Sequence, residues 1–151
     1  MKKFVSTLIK SDTTPTSAWT SLFLRVPAGI IFAAHGAQKL FGAFGGYGLT
    51  GTGQWMDSIG LSPGYLLALL AGSAEFFGGL ALLIGLLVRP SAAVLAFTML
   101  VALFSVHWQN GLFMANNGYE FALSLLAISV ALIPLGGGKF ALDHILGKKY
   151  G

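Results

Sequence analysis

Of the 151 residues in this chain, 55% are hydrophobic and only 9% are charged, whereas a soluble domain carries about 25% charged residues. This composition excludes an ordinary soluble globular domain and indicates one integral membrane domain that covers residues 1–151. The formal net charge of +4 comes mainly from lysines that flank the apolar segments, which suits anionic lipid headgroups and gives no indication of nucleic-acid binding.

The chain opens with a basic and apolar segment of about ten residues. Its apolar run ends at Lys10, too early for a secretory signal sequence, so we expect a short helix on the membrane surface. Four longer apolar segments follow, each near the length that a helix needs to cross about 30 Å of hydrocarbon. The predicted spans are residues 18–41, 65–88, 91–108 and 119–135.

The connections between these spans differ in length. In the first, the spacing of Trp55, Met56 and Ile59 predicts a short interfacial helix that ends at Gly60. A tight turn at residues 89–90 is predicted to join the second and third spans, and a polar loop to join the third and fourth.

The basic residues indicate an orientation. Seven of them fall on the side that holds both termini and the tight turn: Lys2, Lys3, Lys10, Arg89, Lys139, Lys148 and Lys149. Because cytoplasmic loops are enriched in Lys and Arg, both termini are predicted to be cytoplasmic. The predicted fold is therefore an all-α, four-helix transmembrane bundle with an even number of spans.

Six ionisable side chains interrupt the predicted spans, namely Arg25, His35, Lys39, Glu75, His107 and Glu120. A charge at the centre of a bilayer costs roughly 2.5–3.5 kcal/mol on insertion scales, so such residues usually face a partner or a wet cavity. The six residues come from all four spans and carry both signs of charge. They are therefore the candidates for a functional site.

Helix direction predicts two layers among these residues. His35, Lys39, His107 and Glu120 should lie near the outer face, where they would form a polar pocket for a planar or anionic ligand. Arg25 and Glu75 should lie deeper and form a buried charge pair.

Each residue also has a purely structural explanation. Arg25 and Glu75 could fix helix register, Lys39 and Glu120 could reach the headgroups, and His107 could make only a hydrogen bond. Haem or metal ligation by the histidines is a further alternative, but no recognisable ligand spacing supports a metal site. No residue is assigned a catalytic role.

Several short blocks resemble the DoxX family of small four-helix membrane proteins. They are residues 24–26, 32–41, 60–61, 74–79, 106–107, 110–111, 118–120 and 136–143, so the resemblance extends from about Ser21 to Asp143. One departure is Ala141, where the family often has serine.

The resemblance implies a multi-pass protein of the bacterial inner (plasma) membrane that is associated with redox work. It favours a quinone-interacting subunit that works with a soluble or membrane oxidoreductase partner, with quinone as the expected ligand. With no cysteine and no flavin motif, the chain could not transfer electrons alone. The alternatives are a small carrier for an organic anion and a non-catalytic membrane scaffold. Association of several copies is left open.

Overall fold

A computed structural model describes residues 14–150, with side chains as far as residue 148, so the predicted amino-terminal surface helix lies outside the described residues. Helices dominate this part of the chain, and it contains no strand. The helices are α1 Pro15–Phe41, α2 Gly48–Ser58, α3 Gly64–Ile84, α4 Val88–Ala102, α5 Glu120–Leu135 and α6 Leu142–Tyr150.

Three of these helical segments have the length and apolar composition of membrane spans. They are Pro15–Phe41, Gly64–Ile84 and Val88–Asn110, the last being α4 with its continuation. That continuation widens into a π-helical turn at Leu103–His107 and then tightens at Trp108–Asn110. The fourth apolar helix, α5, is shorter, at 16 residues.

The boundaries correct part of the sequence prediction. Gly85, in the left-handed region at φ 74°, ends α3 at Ile84, four residues before the predicted limit at residue 88. The turn into α4 is made by residues 85–87, and not by Arg89 and Pro90, which belong to the first turn of α4. Proline is tolerated there because the first residues of a helix have no intrahelical partner for their N–H groups.

The most extensive helix pair is antiparallel and joins α1 to α3. A Cβ atom on Gly36 would lie 2.3 Å from the backbone nitrogen of Phe76, and one on Gly79 would lie 2.4 Å from that of Ala33. The two backbones therefore touch at these glycines, as small residues allow in lipid, and this contact fixes the register of the pair. Helices α4 and α5 form the second close pair, with Leu95, Leu125 and Leu132 in the buried core.

The bundle has two ends with different construction. We call the end with the connections at residues 42–63 and 108–119 the loop end, and the end with residues 85–87 and α6 the turn end. At the loop end α1 stops before α3 does: Gly42, in the left-handed region at φ 69°, ends α1. Leu40 packs on Gly72, so the first two turns of α3 continue past the end of α1. The predicted short helix, α2, packs beside those turns and buries Met56.

Candidate functional site

The loop end contains an ion pair between two of the predicted residues. Lys39 Nζ on α1 lies 2.5 Å from Glu75 Oε2 on α3, and this is the only salt bridge within residues 14–148. The Glu75 side chain is 4% exposed, whereas that of Lys39 is 24% exposed. A buried carboxylate is thus matched by a lysine side chain that is still partly exposed.

Lys39 also lines a pocket of about 290 Å³. The pocket lies between the end of α1, the loop that follows it and α2, and its other lining residues are Gln38, Gly45, Gly46, Tyr47, Thr52 and Trp55. Apart from Lys39, every lining residue is uncharged. The pocket is therefore lined by one cationic residue, two aromatic residues and the polar residues Gln38 and Thr52.

The wall of this pocket is tied to α3 by a carboxylate that sequence reasoning did not single out. Asp57, near the end of α2, accepts hydrogen bonds from the Ser62 hydroxyl and from the backbone N–H of Gly64 (2.9 Å). These two bonds hold the pKa of the Asp57 carboxyl below its usual range. Asp57 thereby joins α2 to the first turn of α3.

Arg25 lies at the turn end, 1% exposed, and binds only backbone oxygens there. Its Nη1 donates to the carbonyl oxygens of Leu82 and Leu83, each at 2.8 Å, and its Nη2 donates to that of Phe140 at 2.9 Å. Leu82 and Leu83 close α3, and Phe140 belongs to the segment before α6. Arg25 therefore joins three parts of the chain, and its Nε is buried without a partner.

Asp143 completes the turn end. Its Oδ1 accepts the backbone N–H of Leu87 at 2.7 Å and its Oδ2 accepts that of Val88 at 2.9 Å. It thus supplies the start of α4 with acceptors that a helix N-terminus lacks. Burial raises the pKa of Asp143, although the two N–H donors and the charges of Arg25 and Arg89 act in the opposite direction.

The predicted pairing of Arg25 with Glu75 is wrong, since each has another partner. The cause is the register of α1 against α3. Glu75 is adjacent to Phe76, which lies level with Gly36, whereas Arg25 precedes Gly36 by eleven residues, or roughly 16 Å of helix. The two side chains are therefore at opposite ends of the helix pair.

The four residues predicted to share an outer pocket are separated by their contacts. No hydrogen bond or ion pair joins any two of them in the described part of the chain. Lys39 alone lines the pocket, while the ring of His35 packs on that of Phe121, with centroids 5.7 Å apart. That these four bind one ligand stays a prediction.

His107 and Glu120 instead stabilise the loop between α4 and α5. His107 Nδ1 lies 2.9 Å from the carbonyl oxygen of Asn117, and Glu120 Oε1 accepts the N–H of Met114 at 2.6 Å. A carbonyl only accepts, so Nδ1 of His107 carries its hydrogen. Between residues 14 and 148, no three His, Asp or Glu side chains are grouped as metal ligands.

Comparisons with known proteins agree on one family. The DoxX family model matches residues 20–108. The chain is 36% identical over 134 residues to a Bacillus subtilis protein named "Putative oxidoreductase CatD", with 87% of this chain and 91% of the relative covered. It is 36% identical over 135 residues to the Escherichia coli "Inner membrane protein YqjF", with 85% and 93% covered. No solved structure matches it significantly.

Proposed function

The chain belongs to the DoxX family of membrane proteins, and from this premise we propose that it binds the head group of a quinone in the pocket beside Lys39. It would do so as the membrane subunit of a partner oxidoreductase, in the bacterial inner membrane, as a four-span bundle with both termini in the cytoplasm. The pocket would then face outward.

The observation that carries this proposal is the position of the Lys39 ammonium group. This group pairs with Glu75, and the residue that carries it lines the pocket. An ammonium N–H is a strong donor to a quinone carbonyl oxygen, and Tyr47 and Trp55 offer ring faces on which a flat molecule can stack. A volume of about 290 Å³ suits a single ring or a fused pair, with the isoprenoid tail outside in lipid.

The charges at this end favour a quinone over the organic-anion alternative. An anion carrier needs cations that are free to hold its substrate. Lys39 is already neutralised by Glu75, and Arg25 is occupied by three backbone oxygens at the turn end.

In this proposal the partner oxidoreductase carries out the electron transfer. The chain has no cysteine, so no thiol or iron–sulfur centre arises from it, and the proposed role is restricted to binding and orienting the quinone. The word "oxidoreductase" in the name of the Bacillus subtilis relative is consistent with such a partnership.

The test is quinone binding by the purified protein in mild detergent. Menadione should bind to the wild type, and Lys39→Met should weaken its binding by about tenfold or more, the value of one hydrogen bond to a charged group. Because Lys39→Met leaves Glu75 buried and unpaired, the double variant Lys39→Met, Glu75→Gln is measured beside it and should be equally defective.

Two controls separate the pocket from general effects. Lys139→Met removes an exposed lysine from the turn end, and Asn116→Ala changes an exposed polar residue of the loop end that does not line the pocket. Both should bind menadione as the wild type does. The proposal fails if the wild type binds no quinone, or if the Lys39 variants bind it normally while remaining folded.

A further inference from the structure

We propose that Glu75 determines the charge of the ligand, so that the pocket beside Lys39 selects a neutral quinone against an anionic one. This inference rests on the proposed function of the pocket and adds to it the chemical class of the ligand and the residue that sets this class.

The first step is the charge of the pocket wall. Of the residues that line it, only Lys39 is charged, and Gln38, Tyr47, Thr52 and Trp55 contribute neutral groups. Taken alone, this wall would attract anions. The carboxylate that cancels its charge belongs to Glu75, which does not line the pocket.

The second step is the strength of that cancellation. The Glu75 side chain is 4% exposed and its Oε2 lies 2.5 Å from Lys39 Nζ, so water screens the carboxylate little, even though the Lys39 side chain is 24% exposed. An anion in the pocket would compete with Glu75 for the ammonium group while being repelled by it from a few ångströms away. A neutral carbonyl oxygen accepts an N–H of Lys39 without that repulsion.

The third step identifies what Glu75 does. It acts on the ligand through Lys39, both by holding the ammonium group in place and by neutralising it. Glu75 is therefore a positioning and specificity-determining residue. Replacement of its carboxylate by an uncharged group should leave the donor in the pocket and turn the site into one that prefers anions.

The experiment compares two naphthoquinones of similar size. Menadione is neutral, and lawsone is a hydroxylated analogue that is an anion at neutral pH. The wild type should bind menadione at least as tightly as lawsone. In Glu75→Gln the ratio of the two affinities should shift toward lawsone by about tenfold or more, since one nearby carboxylate charge has been removed.

The double variant Lys39→Gln, Glu75→Gln is the matched control, because its pocket is neutral again and the shift toward lawsone should be absent. Glu75→Asp keeps the charge and should also show no shift. If Glu75→Gln does not fold, the affinities of the wild type still test the inference. A wild-type preference for lawsone over menadione of about tenfold would overturn it.

The failures of the two proposals are distinguishable. If the wild type binds neither compound, the quinone site itself is wrong. If the wild type binds menadione through Lys39 but Glu75→Gln leaves the ratio of affinities unchanged, the quinone site stands and the role given to Glu75 is wrong.

Discussion

The two ends of the bundle hold their buried charges in different ways. At the turn end, Arg25 is 1% exposed and donates to three backbone oxygens, two at the end of α3 and one in the segment before α6. At the loop end, Lys39 is 24% exposed, binds the single carboxylate of Glu75 and lines a pocket.

The difference matters because a backbone carbonyl is fixed by its helix, whereas a side chain can change its rotamer. Arg25 can leave its acceptors only if the ends of α1 and α3 separate, so its position indicates a structural role. Lys39 has N–H groups to spare beyond the one that Glu75 accepts. The comparison teaches that a charge within a membrane helix is a functional candidate when its partner is a side chain and a cavity adjoins it.

The largest expected contrast concerns which side of the membrane each end faces. A cysteine introduced at Tyr47 or Asn116, both exposed at the loop end, should react fully with an impermeant maleimide added to intact cells. One at Ser91, near the turn end, should react only after the membrane is opened, because the basic residues predict a cytoplasmic turn end. Mass-shift labelling measures both, and the opposite pattern would invert the orientation on which the outward pocket depends.

The next largest effect should come from Arg25→Ala. Loss of the guanidinium removes three hydrogen bonds to backbone carbonyl oxygens from a side chain that is 1% exposed, so we expect a loss of about 3 kcal/mol or more in the free energy of unfolding. Thermal unfolding in detergent and folded yield measure this loss. Arg89→Ala is the control on the same end, because Arg89 donates a single hydrogen bond, to the Pro134 carbonyl oxygen, and should cost far less. Equal losses in the two variants would show that the three-carbonyl contact is not the stabilising feature.

The smallest expected effects come from replacing one aspartate by alanine at each end of the bundle. Asp143→Ala removes the acceptor of two N–H groups at the start of α4 and should cost about 2 kcal/mol or more. Asp57→Ala, on the surface, should cost less. The effect of Asp57 should also depend on pH. Its folded-state pKa is lowered, so its stabilisation is present above the usual value near 4 and is lost as pH falls through the folded-state pKa.

Melting temperatures at neutral and acid pH measure both parts of this prediction. The difference in melting temperature between the wild type and Asp57→Ala should disappear at acid pH. A gap that is constant with pH, or an Asp57→Ala loss as large as that of Asp143→Ala, would contradict the assignment of the two carboxylates.

Sequence patterning was sufficient for the helices but not for their contacts. Apolar length predicted the long helices to within a few residues, and the spacing around Met56 predicted α2. The errors lie in pairings. The sequence predicts that Glu75 pairs with Arg25, whereas it pairs with Lys39. Which charged side chains meet depends on the register of α1 against α3, and the glycines at which the two backbones touch set this register. The small residues of α1 are compatible with more than one such register.

The turn end was predictable only in part for a different reason. Every residue has a carbonyl group, so no sequence pattern marks those that Arg25 binds. Asp143 lies outside the apolar spans and entered only through the blocks that resemble the family. The one signal in the sequence is an aspartate five residues after the glycines at residues 136–138, and its role depends on the turn at residues 85–87, where it accepts the N–H of Leu87.

The unequal lengths of α1 and α5 have a consequence for the surrounding lipid. At 1.5 Å per residue, the 27 residues of α1 extend for roughly 40 Å and the 16 residues of α5 for roughly 24 Å, against about 30 Å of hydrocarbon. For both to cross, α1 has to tilt or project beyond the hydrocarbon, while the leaflets beside α5 have to thin by roughly 6 Å. The hydrophobic thickness of the protein would then be greater on the α1 side than on the α5 side. The elastic energy of the bilayer would favour association with other membrane proteins at the thinner, α5 side.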